Sequence, residues 1–468
     1  MSRLLMSLTW RRLRWTRFIL YFLGLALVYH FGVTLWNSQE DQQQQQQQQQ
    51  SSSSFLSSPN TTPGQKNEKG SGRLDFPWYT QSHPALDIPH ISDKFTTKDL
   101  SSTERQQLQD KAVADARASM VERVGEIVGI PGSRMTTTEK ADRLRALVEC
   151  WTGQGEWVKD AENAFRLTHM QDPVYGKCDK KFYKTNPKSS HRPATEYSWK
   201  TSLTSSSSSS SSLSCPLPEK VDVQKWCEVL NGRHLLLVGD LVQYQLHEIL
   251  LDAMRDGPTV CFGELNCKEH SICTEPETHL RYLRNDILSI NRRLDSAGEH
   301  PAVDIVEWPF VPTNIITAYP VMILNRSPVR ETDAVFTRTL SNTLRVLRET
   351  VPDMLIIYRS SSIGHPHCDD TTTGGASDKG GPLDQRLTDD QEKLLPFGWS
   401  ELRRRNAMAK AMVEAVGGVY VDLGALTDVR PDGHVGGQDC LRYCIPGPLD
   451  AWVQILYKLF LELENPNI

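Results

Sequence analysis

Three short stretches carry side chains or backbone able to do chemistry. Leu235-Leu236-Leu237-Val238-Gly239-Asp240-Leu241 reads as a strand that turns directly into a helix. Such a turn presents residue 241 at a helix N-terminus, where unpaired N–H groups favour an anion and can serve as an oxyanion hole for acyl chemistry. The residue delivered there is leucine, which has no lone pair with which to attack an acyl carbon. Nearer the C-terminus stand Arg430-Pro431-Asp432-Gly433-His434 and Asp439-Cys440-Leu441-Arg442. His434 is the best candidate base, with Asp432 or Asp439 to orient it. Arg442 stays protonated at any working pH and cannot accept a proton. Tyr244, one turn into the helix, points the wrong way for a nucleophile. Ser360, Ser361 and Ser362 end another strand with no local sign of activation. Direct attack by water or a substrate hydroxyl, with His434 as base, is the remaining route.

Each of these residues also has a plain structural reading. Asp240 caps the helix that follows it. Asp439 and Arg442 form an i,i+3 ion pair that holds their loop shut. His434 is a loop histidine. His365 and His367 flank Pro366 in a turn held by a disulfide at Cys368. Trp308 and Trp452 belong to the core, and Arg403-Arg404-Arg405 forms a solvated helix face.

The elements that must position these groups alternate. Strand patterns at 234–238, 259–262, 303–307, 321–324, 354–358 and 419–423 interleave with helical patterns at 242–254, 279–294, 332–349, 400–415 and 449–463. Short apolar strands alternating with longer helices predict an α/β fold, a three-layer α/β/α arrangement around a mainly parallel sheet. Ligands of such sheets bind at the carboxyl ends of the strands. Upstream, residues 102–149 read as a helical stem region. Residues 186–214 read as an insert whose serine run, 205–212, is a surface loop.

The N-terminus sets the compartment. A basic tail, 1–17, precedes an apolar run at 18–36, long enough at ~1.5 Å per residue to cross ~28 Å of hydrocarbon. The positive side faces the cytosol, which predicts a single-pass signal anchor with the C-terminal domain in the lumen. Residues 37–101, rich in Gln and Ser, read as a disordered stem with a glycosylation sequon at Asn60. A net charge of −5 gives no surface for nucleic acid. In a lumenal setting the ten cysteines are expected to be mostly paired. No C-x-x-C pattern with a matching partner favours zinc, and no metal is expected. No D-x-D triplet or P-loop favours a sugar-nucleotide or nucleotide enzyme.

Cys150-Trp151-Thr152-Gly153-Gln154-Gly155-Glu156-Trp157, Asp172-Pro173-Val174-Tyr175, Trp308-Pro309-Phe310, the stretch 358–365, Arg430 to His434, and above all the D-C-x-x-x-C-x-P-G-x-x-D-x-W run from Asp439 to Trp452 follow one another in a telling order. In that order and spacing the chain resembles the trichome-birefringence-like/PC-esterase family over about residues 150–463. The resemblance implies an SGNH-type fold and Golgi-anchored enzymes that move acetyl groups onto or off polysaccharide hydroxyls. It implies a covalent acyl-serine and no cofactor other than the acetyl donor. The nucleophilic Ser of its Gly-Asp-Ser falls on Leu241, after Gly239 and Asp240. The Asp and His of its Asp-x-x-His fall on Asp439 and Arg442. An oxyanion-hole Asn falls on Asn325, and Arg359 and His365 match its Arg…His stretch. Gly239, Asp240, Asn325, Arg359 and His365 are thus expected at the substrate site, with Asp439 and His434 as residual catalytic candidates. The expectation is a pseudoenzyme that binds a glycan or a partner acyltransferase. The alternative is an active acetyltransferase or esterase rearranged around His434.

Overall fold

The computed structural model describes residues 96–169, 176–201, 215–254, 269–290, 294–295, 301–302, 305–365, 381–436 and 439–466. The expected anchor at 18–36, the stem with Asn60, the strand at 259–262 and the serine run at 205–212 lie outside them. Among the described residues, no helix is long and apolar enough to cross a membrane.

Two side-chain-capped helices come first. In α1 (Ser102–Val124) the Ser101 side chain accepts from the Glu104 N–H while Glu104 accepts from the Ser101 N–H, a reciprocal capping box. In α2 (Thr138–Gly153) Thr137 accepts from the Lys140 N–H. Next come β1 (Gly155–Lys159), α3 (Gly176–Thr185) and β2 (Tyr197–Thr201), the two strands pairing antiparallel. Residues 197–201, read above as part of an insert, therefore form a strand. The doubly wound part begins with α4 (Val223–Leu230), β3 (Leu235–Gly239), α5 (Leu241–Met254), β4 (His270–Thr274) and β5 (Glu277–Arg284). It continues through β6 (Leu294–Asp295), β7 (Ile305–Val306), α6 (Thr313–Ile316), β8 (Val321–Leu324), α7 (Asp333–Thr350) and β9 (Leu355–Arg359). It closes with α8 (Asp389–Glu392), α9 (Leu402–Ala415), β10 (Val419–Val421), α10 (Gly424–Thr427), β11 (His434–Gly436), β12 (Asp439–Tyr443) and α11 (Asp450–Leu463).

The main sheet runs β10-β9-β8-β3-β5-β4. All pairings in it are parallel except the edge pair β4–β5. The helix expected at 279–294 is a correction: Glu277–Arg284 is strand β5, with Leu235 opposite Leu280 and Gly239 opposite Arg284. Alternating burial of Thr278, Leu280 and Tyr282 against half-exposed His279 and Arg281 is a period of two, which the neighbouring β3 enforces. The two faces of the sheet are both apolar. Leu235, Leu237, Val321, Ile323, Leu355 and Ile357 pack with α2, α5 and α11. Leu236, Val238, Met322, Leu324, Ile356 and Tyr358 pack with α1, α7 and α9. Each such side chain, taken out of water, contributes about 1.5–3 kcal/mol.

The segment read as a helical stem, 102–149, packs on this sheet. Ala112, Ala116 and Met120 of α1 join one core, and Ala141, Leu144 and Val148 of α2 the other. Buried ionic contacts fasten α1 as well: Arg105 reaches Asp389, the Thr97 hydroxyl and the Ser400 carbonyl. The arginine run at 403–405 is not a solvated face. Arg404 is buried in a bidentate pair with Asp333 and a second bond to Glu401, and Arg405 donates to the Val329 carbonyl. Only Arg403 is half-exposed. The carboxylates that neutralise the run are local, Glu401 and Glu392, and distant, Asp333.

Covalent links follow the expectation of an oxidised domain. Disulfides join Cys150–Cys215, Cys178–Cys444 and Cys227–Cys273, and Cys440 is disulfide-bonded as well. Cys261, Cys267 and Cys368 lie outside the described residues. The Cys178–Cys444 bridge ties α3 to the residue that follows β12.

A buried clamp joins the two long helices beside it. His169 Nδ1 meets Asp252 Oδ2 of α5 at 2.5 Å, and its Nε2 meets Asp450 Oδ1 of α11 at 3.1 Å. Asp450 Oδ2 also accepts the Leu167 N–H at 3.1 Å. Burial by itself lowers the imidazole pKa. Attraction to Asp450 and hydrogen bonds to both carboxylates outweigh it and raise the ring from 6.5 to about 9. A cation held this way stabilises the fold fully below the unfolded value, and the contribution disappears as pH rises through about 9. We expect His169→Ala to lose about 3–5 kcal/mol, because two carboxylates are left buried without a counter-charge. Thermal melts from pH 6 to pH 10 should show the native protein losing stability across pH 7–9 and the variant losing less; parallel curves would contradict the clamp.

Candidate functional site

The sheet changes winding direction between β3 and β8, and the predicted site residues converge at the carboxyl ends of these strands. β3 ends at Gly239. A Cβ there would fall 2.5 Å from Asn325 Oδ1 and 2.9 Å from Gln243 Cβ, so only glycine lets these side chains close in. Asn325, which follows β8, accepts the Asp240 N–H at 3.1 Å and donates to the Arg326 carbonyl at 3.0 Å. Asp240 Oδ1 accepts the N–H groups of Val242 and Gln243, both at 3.0 Å, which caps α5. The same oxygen accepts from Arg359 Nη2 at 3.2 Å. Arg359, the last residue of β9, also donates from Nε to Gln243 Oε1 at 2.9 Å and lies 5.0 Å over the Trp452 ring. Burial lowers the Arg359 pKa, and Asp240 acts in the opposite sense.

Four of the five expected binding residues are therefore together. Gly239, Asp240, Asn325 and Arg359 are buried; the Asp240 and Arg359 side chains pair with each other, and the Asn325 side chain holds the Asp240 backbone N–H. Trp452 is core, as its sequence context suggested. Asn325 opens an Asn-Arg-Ser glycosylation sequon but is fully buried, which leaves no room for a glycan there.

Leu241 opens α5 and is 7% exposed, in the same apolar cluster as Leu441 and Tyr443. One turn on, Gln245 clasps the backbone of Tyr443: its Nε2 donates to the Tyr443 carbonyl at 2.6 Å and its Oε1 accepts the Tyr443 N–H at 3.0 Å. The start of α5 and the 439–443 strand thus share one locality. There Arg442 Nε donates to Asp439 Oδ2 at 2.5 Å, and Asp439 Oδ1 accepts the Arg442 N–H at 3.0 Å. This is the i,i+3 pair the spacing suggested.

His365 and His434 form a separate pair. His434 is fully buried and stacks on Tyr443 with centroids 4.3 Å apart. Its Nε2 faces His365 Nδ1 at 2.7 Å, and its Nδ1 faces the Arg442 carbonyl at 3.1 Å. The outer nitrogen of His365, Nε2, faces the Asp428 carbonyl at 2.9 Å. Neither carboxylate expected to orient His434 does so. Asp432 is held by Arg430 through two 2.8 Å bonds, and Asp439 is held by Arg442. Burial pushes His365 down to about 4 and His434 well below 6.5. Two neutral rings carry two ring protons between them. The two carbonyl contacts consume both, and the central N···N contact lacks one.

Sequence reasoning missed the polar contents of α5. Gln243, Gln245, His247 and Glu248 are all buried on a helix that reads as core. Two amide side chains, Gln243 and Gln245, just after a Gly-Asp turn were the available signal.

Comparison with known proteins is consistent with this geometry. Residues 325–459 match the model of the PC-Esterase family, described as a GDSL/SGNH-like acyl-esterase family found in Pmr5 and Cas1p. A xyloglucan O-acetyltransferase 2 of Arabidopsis thaliana is 26% identical over 122 residues, 24% of this chain and 30% of that protein. The Arabidopsis protein trichome birefringence-like 1 is 22% identical over 387 residues, 69% of this chain and 63% of that one. The Arabidopsis protein trichome birefringence is 22% identical over 411 residues, 72% of this chain and 61% of that one. The chain thus spans less than two thirds of the length of each of these relatives.

Two outcomes follow from the buried charges. Asp240→Ala uncaps α5 and strands Arg359, and should cost about 3–5 kcal/mol in chemical unfolding. Asp240→Asn keeps the cap and should cost less; equal losses would contradict the charge pairing. The histidine pair has depressed folded pKa values, so it favours folding above 6.5 and loses that contribution as pH falls toward 4. His434→Phe keeps a ring on Tyr443 and should flatten the fall in stability between pH 6.5 and pH 4; an unchanged slope would contradict the assignment.

Proposed function

We propose that this chain, whose residues 325–459 match the PC-Esterase family, binds a glycan or a partner acyltransferase without acyl turnover, because its chemistry turns on the positions where the resemblance puts the reacting side chains. One observation carries the reading: the residue delivered at the start of α5 is a buried leucine, and the residue in the histidine position is an arginine tied to Asp439. A hydrocarbon cannot attack and a guanidinium cannot take a proton. The backbone N–H at position 241 persists, but an oxyanion hole and binding alone leave only ~10³–10⁴-fold over water in a serine protease stripped of its triad.

The rearranged alternative needs His434 as base. Its Nε2 is closed in against His365, its Nδ1 faces the Arg442 carbonyl, and the nearby carboxylates have other partners. That arrangement favours the non-catalytic reading. The relative named for xyloglucan O-acetylation makes a neutral polysaccharide the first ligand to test. The disulfides, with the apolar run at 18–36, support a single-pass secretory-pathway protein, Golgi by resemblance, whose C-terminal domain is lumenal. In this proposal 37–101 is the stem.

The full chain should neither label with a fluorophosphonate nor release acetate from acetylated xyloglucan. Acyl turnover at enzyme-like rates would refute the reading. The double substitution Leu241→Ser with Arg442→His should introduce labelling that neither single change gives. No gain from the pair would count against the equivalence of these two positions.

A further inference from the structure

At the β10 edge of the sheet, a cleft of about 370 Å³ opens between α2, α9 and the segment after β10. None of its lining residues belongs to the 239–245 or 439–443 clusters. Its volume is within the range of small-ligand sites.

The lining alternates donors and acceptors. Arg403 Nη2 pairs with Glu392 Oε1 at 2.7 Å, Arg386 Nη2 lies 3.5 Å from Asp422 Oδ2, and Lys410 pairs with Glu149. All three cations line the cleft and are 36–49% exposed, so none is sealed off from solvent by its ion pair. Asp428 adds a fourth carboxyl, its Oδ1 accepting the Ile363 N–H at 2.9 Å. Burial pushes that carboxyl up to about 7, with Arg386 acting in the opposite sense and Asp422 and Glu392 adding to the rise. Near neutrality it can therefore donate as well as accept. Between the polar groups lie apolar surfaces of Ile363, Leu402 and Ala407.

This pattern selects a ligand class. A hydroxyl both donates and accepts, so a ring of hydroxyls is matched by N–H and carboxylate groups side by side. An anionic ligand meets at least as many carboxylates as cations, and a purely apolar one strips water from the ion pairs without replacing its hydrogen bonds. C–H faces of a ring suit the apolar surface between the pairs. We propose that this cleft is a binding site for a neutral polyhydroxylated ligand, a saccharide, separate from the locality of Leu241 and Arg442. The inference rests on the cleft's own lining and does not require the acyl-transfer descent.

The test is isothermal titration of the full chain with a xyloglucan heptasaccharide and with trigalacturonate as the acidic counterpart. The neutral sugar should saturate and the acidic one should bind at least tenfold more weakly. Arg403→Ala with Lys410→Ala removes exposed donors and should weaken the neutral sugar about tenfold, equivalent to ~1.4 kcal/mol. Ala407→Trp, which fills the cleft, should abolish binding; thermal melts of each variant establish that the fold persists. Lys225→Ala, at an exposed position of α4 outside both localities, should leave the affinity unchanged. Absence of saturation, tighter binding of trigalacturonate, or binding that survives Ala407→Trp would each overturn the inference. Binding that survives Ala407→Trp but fails in Arg442→Ala would overturn it while supporting glycan binding at the family's site.

Discussion

The carboxylate of Asp240 is the contact on which the rest of the site depends. One buried oxygen accepts two helix N–H groups and an arginine from a strand two places away in the sheet. The Asp240 N–H is taken by Asn325 from the strand between them. Four elements, β3, α5, β8 and β9, are thereby fixed at one point, in a medium where an unpaired charge is expensive. Gly239 is what permits it, because any Cβ would occupy the space of Asn325 Oδ1.

This geometry survives without the reactive groups that the resemblance places nearby. The scaffold groups are held by burial and mutual hydrogen bonding, so they carry a structural load whether or not chemistry occurs. The groups at 241 and 442 carry none of that load. A leucine at the start of α5 joins the apolar cluster, and an arginine three residues after Asp439 satisfies it locally. Leucine at 241 and arginine at 442 therefore cost the fold little. The frame and the reacting atoms are energetically separable here.

Much of the secondary structure was legible because long periodic patterns are local. The strands at β3, β8 and β9 and the helices α5, α7, α9 and α11 follow from apolar runs of the right length. Strand β5 was misread, since Leu280, Leu283 and Leu294 also fit a helical spacing and only pairing with β3 decides between the periods. Arg404 and Arg405 were misread for the same kind of reason. Asp333 and the carbonyls before α7 are brought to them by the fold, and join the local Glu401 in burying the run. The clamp of His169 between Asp252 and Asp450 left no trace in local spacing at all.

The sequence by itself determined what residues 241 and 442 cannot do, since the absence of a lone pair in leucine and the permanent charge of arginine are properties of the side chains. It also determined the alternation of strands and helices, which depends on spacing along the chain. Only the tertiary structure decided who partners whom: that His434 faces His365 and a carbonyl in place of a carboxylate, that Arg359 serves Asp240, and that the segment before residue 150 packs into the cores. Pairing of buried polar groups is set by distances across the fold, and sequence separation carries no information about those distances.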